Sequence, residues 1–148
     1  MRRGLSVLLS AVALAGCFHP VPYEPDRAVV RGIPAESARA ELRRVLGAAY
    51  TWQHGSDYEV ASVTEDSFAL REKEGGELRS WRYADLAPTA CTIDGSMTDA
   101  IFIRFQGEIG AFDQATLENG IIMLDKREDV ETLLDALASL KADAGARR

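Results

Sequence analysis

The chain has 148 residues, 47% hydrophobic and 27% charged, with 17 Lys and Arg against 23 Asp and Glu for a formal charge of −6. That acidic balance argues against nucleic acid or an anionic lipid surface as an electrostatic partner, and the length suits one domain with an adequate core. Two cysteines are too few for a disulfide framework.

Met1-Arg2-Arg3 opens the chain with positive charge, and Gly4 to Ala15 follows as an apolar run of 12 residues. Such a run has the length of a secretory signal's apolar region and falls short of the roughly 20 residues that a membrane-spanning helix needs. It closes on Leu14-Ala15-Gly16-Cys17, before Phe18-His19-Pro20. This segment resembles the signal peptide and lipobox of bacterial lipoproteins. The resemblance implies cleavage after residue 16, a thioether-linked diacylglycerol on the Cys17 sulfur and an acylated new amino terminus, which makes the membrane the first partner. An ordinary secretory signal, cut at Ala11-Val12-Ala13 or Ala13-Leu14-Ala15, is the alternative, and the cysteine after Leu-Ala-Gly argues against it. Each buried methylene adds about 0.8 kcal/mol, so several chains on Cys17 would not leave a bilayer. Phe18, not aspartate, follows the cysteine, and the resemblance then implies the outer membrane, on its periplasmic face.

Loss of residues 1–16 removes Arg2, Arg3 and no acid, taking the formal charge from −6 to −8. With Cys17 a thioether, Cys91 is left as a lone thiol. In Ala90-Cys91-Thr92-Ile93 it reads as a small buried hydrophobe, with an intermolecular disulfide as the alternative.

Residues 17–30 read as a lipidated, proline-rich tether, since Pro20, Pro22 and Pro25 are three of the five prolines. At about 3.1 Å per residue, an extended spacer from Cys17 to Ala28 would reach about 35–40 Å from the lipid. Ala28-Val29-Val30-Arg31 predicts a short strand. Pro34 then opens a helix to Tyr50, with Ala38, Leu42, Val45, Leu46 and Ala49 on its apolar face and Arg39 and Arg43 on the solvated one. From Asp57 the pattern becomes alternating, at residues 58–63, 67–71 and 78–83, with Lys73-Glu74-Gly75-Gly76-Glu77 as a hairpin loop. A second set follows at 89–93, 99–105 and 120–124; in it Ile101, Ile103 and Phe105 should face the core. Links this short predict an antiparallel meander. Asp125 to Glu128 has the spacing of a capping box, and Val130, Leu133, Leu134, Leu137 and Leu140 mark a final helix whose obvious cover is the sheet. A single α+β domain over 31–142 results, with residues 143–148 as a disordered tail.

Strands ending in Gly120-Ile121-Ile122-Met123-Leu124 and passing into a helix from Glu128 resemble the close of pleckstrin-homology-like domains. The resemblance spans residues 57–142 and implies a bent barrel plugged at one end by the last helix. It implies no single activity, because such folds host lipid, peptide and protein binding alike. Phosphoinositide binding does not carry over, since Glu72, Glu74 and Glu77 stand where a basic cluster is needed.

No residue pattern marks a catalytic or metal centre, and no cofactor is implied. His54 with Cys91 is the one imaginable thiol dyad, but Ala90 and Ile93 are not the electropositive setting that a cysteine nucleophile needs. His19 lies in the tether and reads as solvated. Asp94, Asp99 and Asp113 lack the spacing of a calcium loop, and Gly107, Gly110 and Gly120 lack a phosphate loop's lysine and helix. Trp52, Trp81 and Tyr83 are the candidate partner-binding residues: Trp81 and Tyr83 would share one strand face, exposed as an anchor or packed in the core. The function expected is a membrane-anchored envelope lipoprotein that binds or scaffolds another envelope protein without catalysis. The alternative is a membrane-proximal periplasmic hydrolase or thiol enzyme using His54 and Cys91.

Overall fold

A computed structural model describes residues 18–21, 23–50, 58–73, 76–93, 101–106 and 121–147. In chain order these form strand β1 (Phe18–Pro20), helices α1 (Arg27–Gly32) and α2 (Ala35–Gly47), and strands β2 (Tyr58–Val63), β3 (Ser67–Glu72) and β4 (Leu78–Arg82). A 3-10 turn (Tyr83–Asp85), strands β5 (Thr89–Ile93), β6 (Ile101–Arg104) and β7 (Ile121–Leu124), and helix α3 (Arg127–Ala146) follow. The class is α+β. All ladders are antiparallel, in two sheets ordered β1-β5-β6-β7 and β2-β3-β4. Among the described residues no ladder joins β4 to β5, so the strands make two open sheets, the meander β2-β3-β4 and the meander β5-β6-β7 edged by β1, and not a closed barrel.

One core runs through both sheets. Ala38, Leu42, Val45, Leu46 and Ala49 are fully buried, as their spacing predicts, and they meet Val130, Leu133, Leu137 and Leu140 of α3. Helix α3 therefore finds its largest cover on α2, with the 3-10 turn and α1 next, and touches β6 and β7 only lightly. The reason is reciprocal: two amphipathic helices bury both apolar stripes against each other, which the sheet alone could not do. Arg44 of α2 bridges to Asp129 of α3 at 3.0 Å, and Arg43, expected to be merely solvated, donates to the Val63 carbonyl at 3.0 Å.

Ile101, Ile103 and Phe105 face this core, and Phe102 and Met123, paired across β6 and β7, are buried as well. The two sheets are joined by rings. Phe68 of β3 meets Phe105 edge-on at 5.1 Å between centroids, stacks on Trp81 at 5.2 Å, and Trp81 in turn lies 5.0 Å from Phe105.

Several expectations are corrected. Residues 28–31 are helical, not a strand: Asp26 caps α1 by accepting from the Ala28 N–H at 2.7 Å, and Val30 is buried while Val29 stays 54% exposed. Local capping and tertiary burial here outweigh the strand preference of the two valines. Asp125 is not a helix cap, because α3 starts one residue later, with extended Lys126 at its N-cap, and Asp125 accepts from the Tyr50 hydroxyl at 2.5 Å.

The tail is not free either. α3 continues to Ala146, Ala144 is buried, and Arg147 donates to the Glu65 carbonyl at 2.5 Å and to Asp66 at 3.2 Å. The tether, finally, is docked: β1 pairs with β5, the Val21 N–H donates to the Ala90 carbonyl at 2.9 Å, and Val21 and Tyr23 pack on the core. A segment hydrogen-bonded along a sheet edge cannot also serve as a 35–40 Å spacer.

Candidate functional site

An apolar groove of about 340 Å³ lies between the segment after β1, the link from the 3-10 turn to β5, and the second half of α3. Its buried floor is Leu86, Leu134 and Leu137; Tyr23, Pro25 and Pro88 rise on its sides. Leu134, Leu137 and Lys141 follow at i, i+3 and i+7, which places them on one side of the helix. The link is held from three directions: the Leu86 N–H donates to Tyr83, the Ala87 N–H to Phe105, and the Lys141 ammonium donates to the Leu86 carbonyl at 2.5 Å. Lys141 is thereby turned onto the backbone, its charge engaged at the groove's edge.

On the opposite side the Tyr23 hydroxyl donates to Asp135 Oδ1 at 2.8 Å. That bond, followed by burial, pushes the Tyr23 phenol up to about 12, so it stays a neutral donor at any physiological pH. Asp135, Glu131 and Asp26 all act on this phenol, and Glu24 lies on the groove wall. The rim around Tyr23 is therefore negative. An apolar floor with a few polar groups at the edge is the arrangement of a binding site. Among the described residues its lining holds no histidine or cysteine, and its one side-chain hydroxyl, that of Tyr23, is bonded to Asp135.

A second cleft, of similar volume, is polar and lies between Glu65, Asp66, Arg82 and Arg147. Arg147 is already satisfied there by Glu65, Asp66 and Asp143, so this is a latch between the end of α3 and the β2–β3 turn.

Tyr83 and Trp81 do not present an aromatic anchor. Tyr83 begins the 3-10 turn instead of extending β4, is fully buried, and its hydroxyl donates to the Thr64 carbonyl at 3.2 Å. Trp81 is half-buried in the ring cluster at Phe68. The packed alternative is the one observed. Cys91 lies within β5 opposite Pro20 and Phe102. Cys17, Trp52, His54, Glu74, Asp94, Asp99, Gly107, Gly110, Asp113 and Gly120 lie outside the described residues. Among the described residues no three His, Cys, Asp or Glu side chains come together as metal ligands, and no helix is long and apolar enough to cross a membrane.

The groove itself escaped the sequence reading. The sequence pattern places Tyr23 and Pro25 in a spacer, and nothing local joins them to Leu134 more than 100 residues later. The available signal was Val21 and Tyr23, two large apolar side chains in a supposedly solvated segment. No protein-family model, no curated protein and no solved structure matches this chain.

Proposed function

We propose that this chain is a bacterial envelope lipoprotein, held on the membrane through acyl chains on Cys17, whose domain binds another envelope protein and carries out no catalysis. The Leu14-Ala15-Gly16-Cys17 lipobox after a short apolar run supports the anchor, and Phe18 after the cysteine favours the outer membrane's periplasmic face. The apolar groove is the observation that supports binding. Its occupant is an apolar side chain of a partner segment flanked by Lys or Arg, because Glu24 lines the groove and Asp26, Glu131 and Asp135 act on the Tyr23 phenol at its side, against the one lining base, Lys141, and the mature chain is acidic. A groove of about 340 Å³ takes one or two such side chains, the size of an anchoring contact.

The test is site-specific photo-cross-linking in cells. A photoreactive residue at position 87, on the groove, should give a discrete adduct, and one at position 29, on the exposed side of α1, should not. The cross-linked peptide should be apolar with a basic flank, and Ala138→Trp, which fills the groove, should abolish the adduct. An adduct that survives Ala138→Trp, or maps to an acidic peptide, contradicts the reading.

A further inference from the structure

The ladder that docks β1 also sets the height and orientation of the domain. Phe18 pairs with Ile93 and Pro20 with Cys91, so pairing begins at the residue next to Cys17. At one end of the four-stranded sheet lie Phe18, Ile93, Ile101 and Leu124. The chain leaves Leu124 for Lys126 and the first turn of α3 at that same end. At the other end Thr89 pairs with Arg104 and Arg104 with Ile121, beyond which lie Leu86, Ala87 and Pro88. β5 alone separates the two ends by about 14 Å, at about 3.4 Å per residue. Helix α3 crosses from the first end to the second, because it begins just after Leu124 and its Lys141 reaches the Leu86 carbonyl.

We infer that the lipid-anchored domain stands directly on the bilayer with a fixed pole down: the Ile93, Leu124 and Lys126 end lies at the headgroups, and the Leu86 to Pro88 end, with the groove, faces away from the membrane. This rests on acylation of Cys17. The partner of the lower pole is the lipid headgroup layer. Among the described residues charge does not select that pole, since exposed Lys126 is offset by Asp125 and Glu128 and Arg127 is paired with Glu131. The backbone ladder does. With no free residue between the acylated position and the paired strand, the domain has no leash on which to turn over.

The experiment uses the full-length, lipidated chain in vesicles of phosphatidylethanolamine and phosphatidylglycerol containing a headgroup quencher. A fluorescent amino acid is placed at position 126 or at position 142, both exposed on or beside α3. Quenching several-fold stronger at 126 than at 142 is expected. Inserting a flexible Gly-Ser segment of about 10 residues between Cys17 and Phe18 should erase that difference while leaving the protein on the vesicles. Equal quenching at the two positions on bound protein, or stronger quenching at 142, overturns the orientation while leaving the anchor intact. Wild-type protein that fails to bind vesicles, and behaves like Cys17→Ser, overturns the anchor and the orientation with it.

Discussion

The Tyr23 hydroxyl and Asp135 Oδ1 lie 2.8 Å apart across 112 residues of sequence, and this bond pins the segment after β1 to the middle of α3. Tyr23→Phe keeps the ring on the core and removes only the donor. It should cost about 1 kcal/mol, the ordinary net worth of one hydrogen bond, and raise amide exchange at Val21 and Tyr23 relative to the body of α3. Denaturant unfolding with hydrogen exchange checks both.

Phe105 carries the contact between the two sheets, through Phe68 and Trp81. Phe105→Ala should cost about 3–5 kcal/mol, the range for emptying a buried aromatic site, whereas Leu78→Ser, at a residue 53% exposed, should lie within about 0.5 kcal/mol of wild type. Midpoints of urea unfolding give both values directly.

The elements legible in the sequence were those whose information is local and periodic. Leu42 and Leu46, or Leu133 and Leu137, announce a helix face wherever they occur, and Ile101, Ile103 and Phe105 announce a strand face. What was not legible depended on contacts far along the chain. Asp125 fits a capping box by spacing, yet its carboxylate is taken by Tyr50, 75 residues earlier, so the helix starts one residue on. Val29 and Val30 favour a strand in isolation, and the Asp26 cap with the burial of Val30 in the folded chain reverses that. The groove is built from three segments far apart in the sequence, and no local signal says that they meet.

Gly76 donates its N–H to the Glu72 carbonyl at 3.2 Å in the β3–β4 hairpin, and a Cβ there would overlap the Cβ of Glu72, close to the backbone. Gly76→Ala should therefore destabilise by about 1–3 kcal/mol through overpacking. Gly145, in the last turn of α3, has nothing near its missing Cβ. Gly145→Ala should stabilise, by up to about 1 kcal/mol. Paired thermal unfolding curves should move in opposite directions.

Alkali should ionise the tyrosines of this protein and unfold it together, above the pH at which a free phenol titrates. Tyr23, Tyr50 and Tyr83 are each pushed from 10.0 up to about 12, Tyr23 first by its bond to Asp135 and Tyr50 and Tyr83 first by burial. Tyr58 is also raised, by burial. A phenol with a raised pKa in the folded state favours folding fully below pH 10, and that contribution is lost as pH rises toward 12. Tyrosinate absorbance and circular dichroism recorded together should show little ionisation at pH 10, then ionisation and loss of structure in one step.

The central claim is that acyl chains on Cys17 hold the domain at a membrane. Mass spectrometry of the N-terminal peptide, from protein extracted out of bacterial membranes, tests it most directly. The peptide should begin at Cys17 and carry a diacylglycerol thioether and an amide-linked acyl chain. A peptide that begins elsewhere, or a Cys17 with an unmodified sulfur, contradicts it.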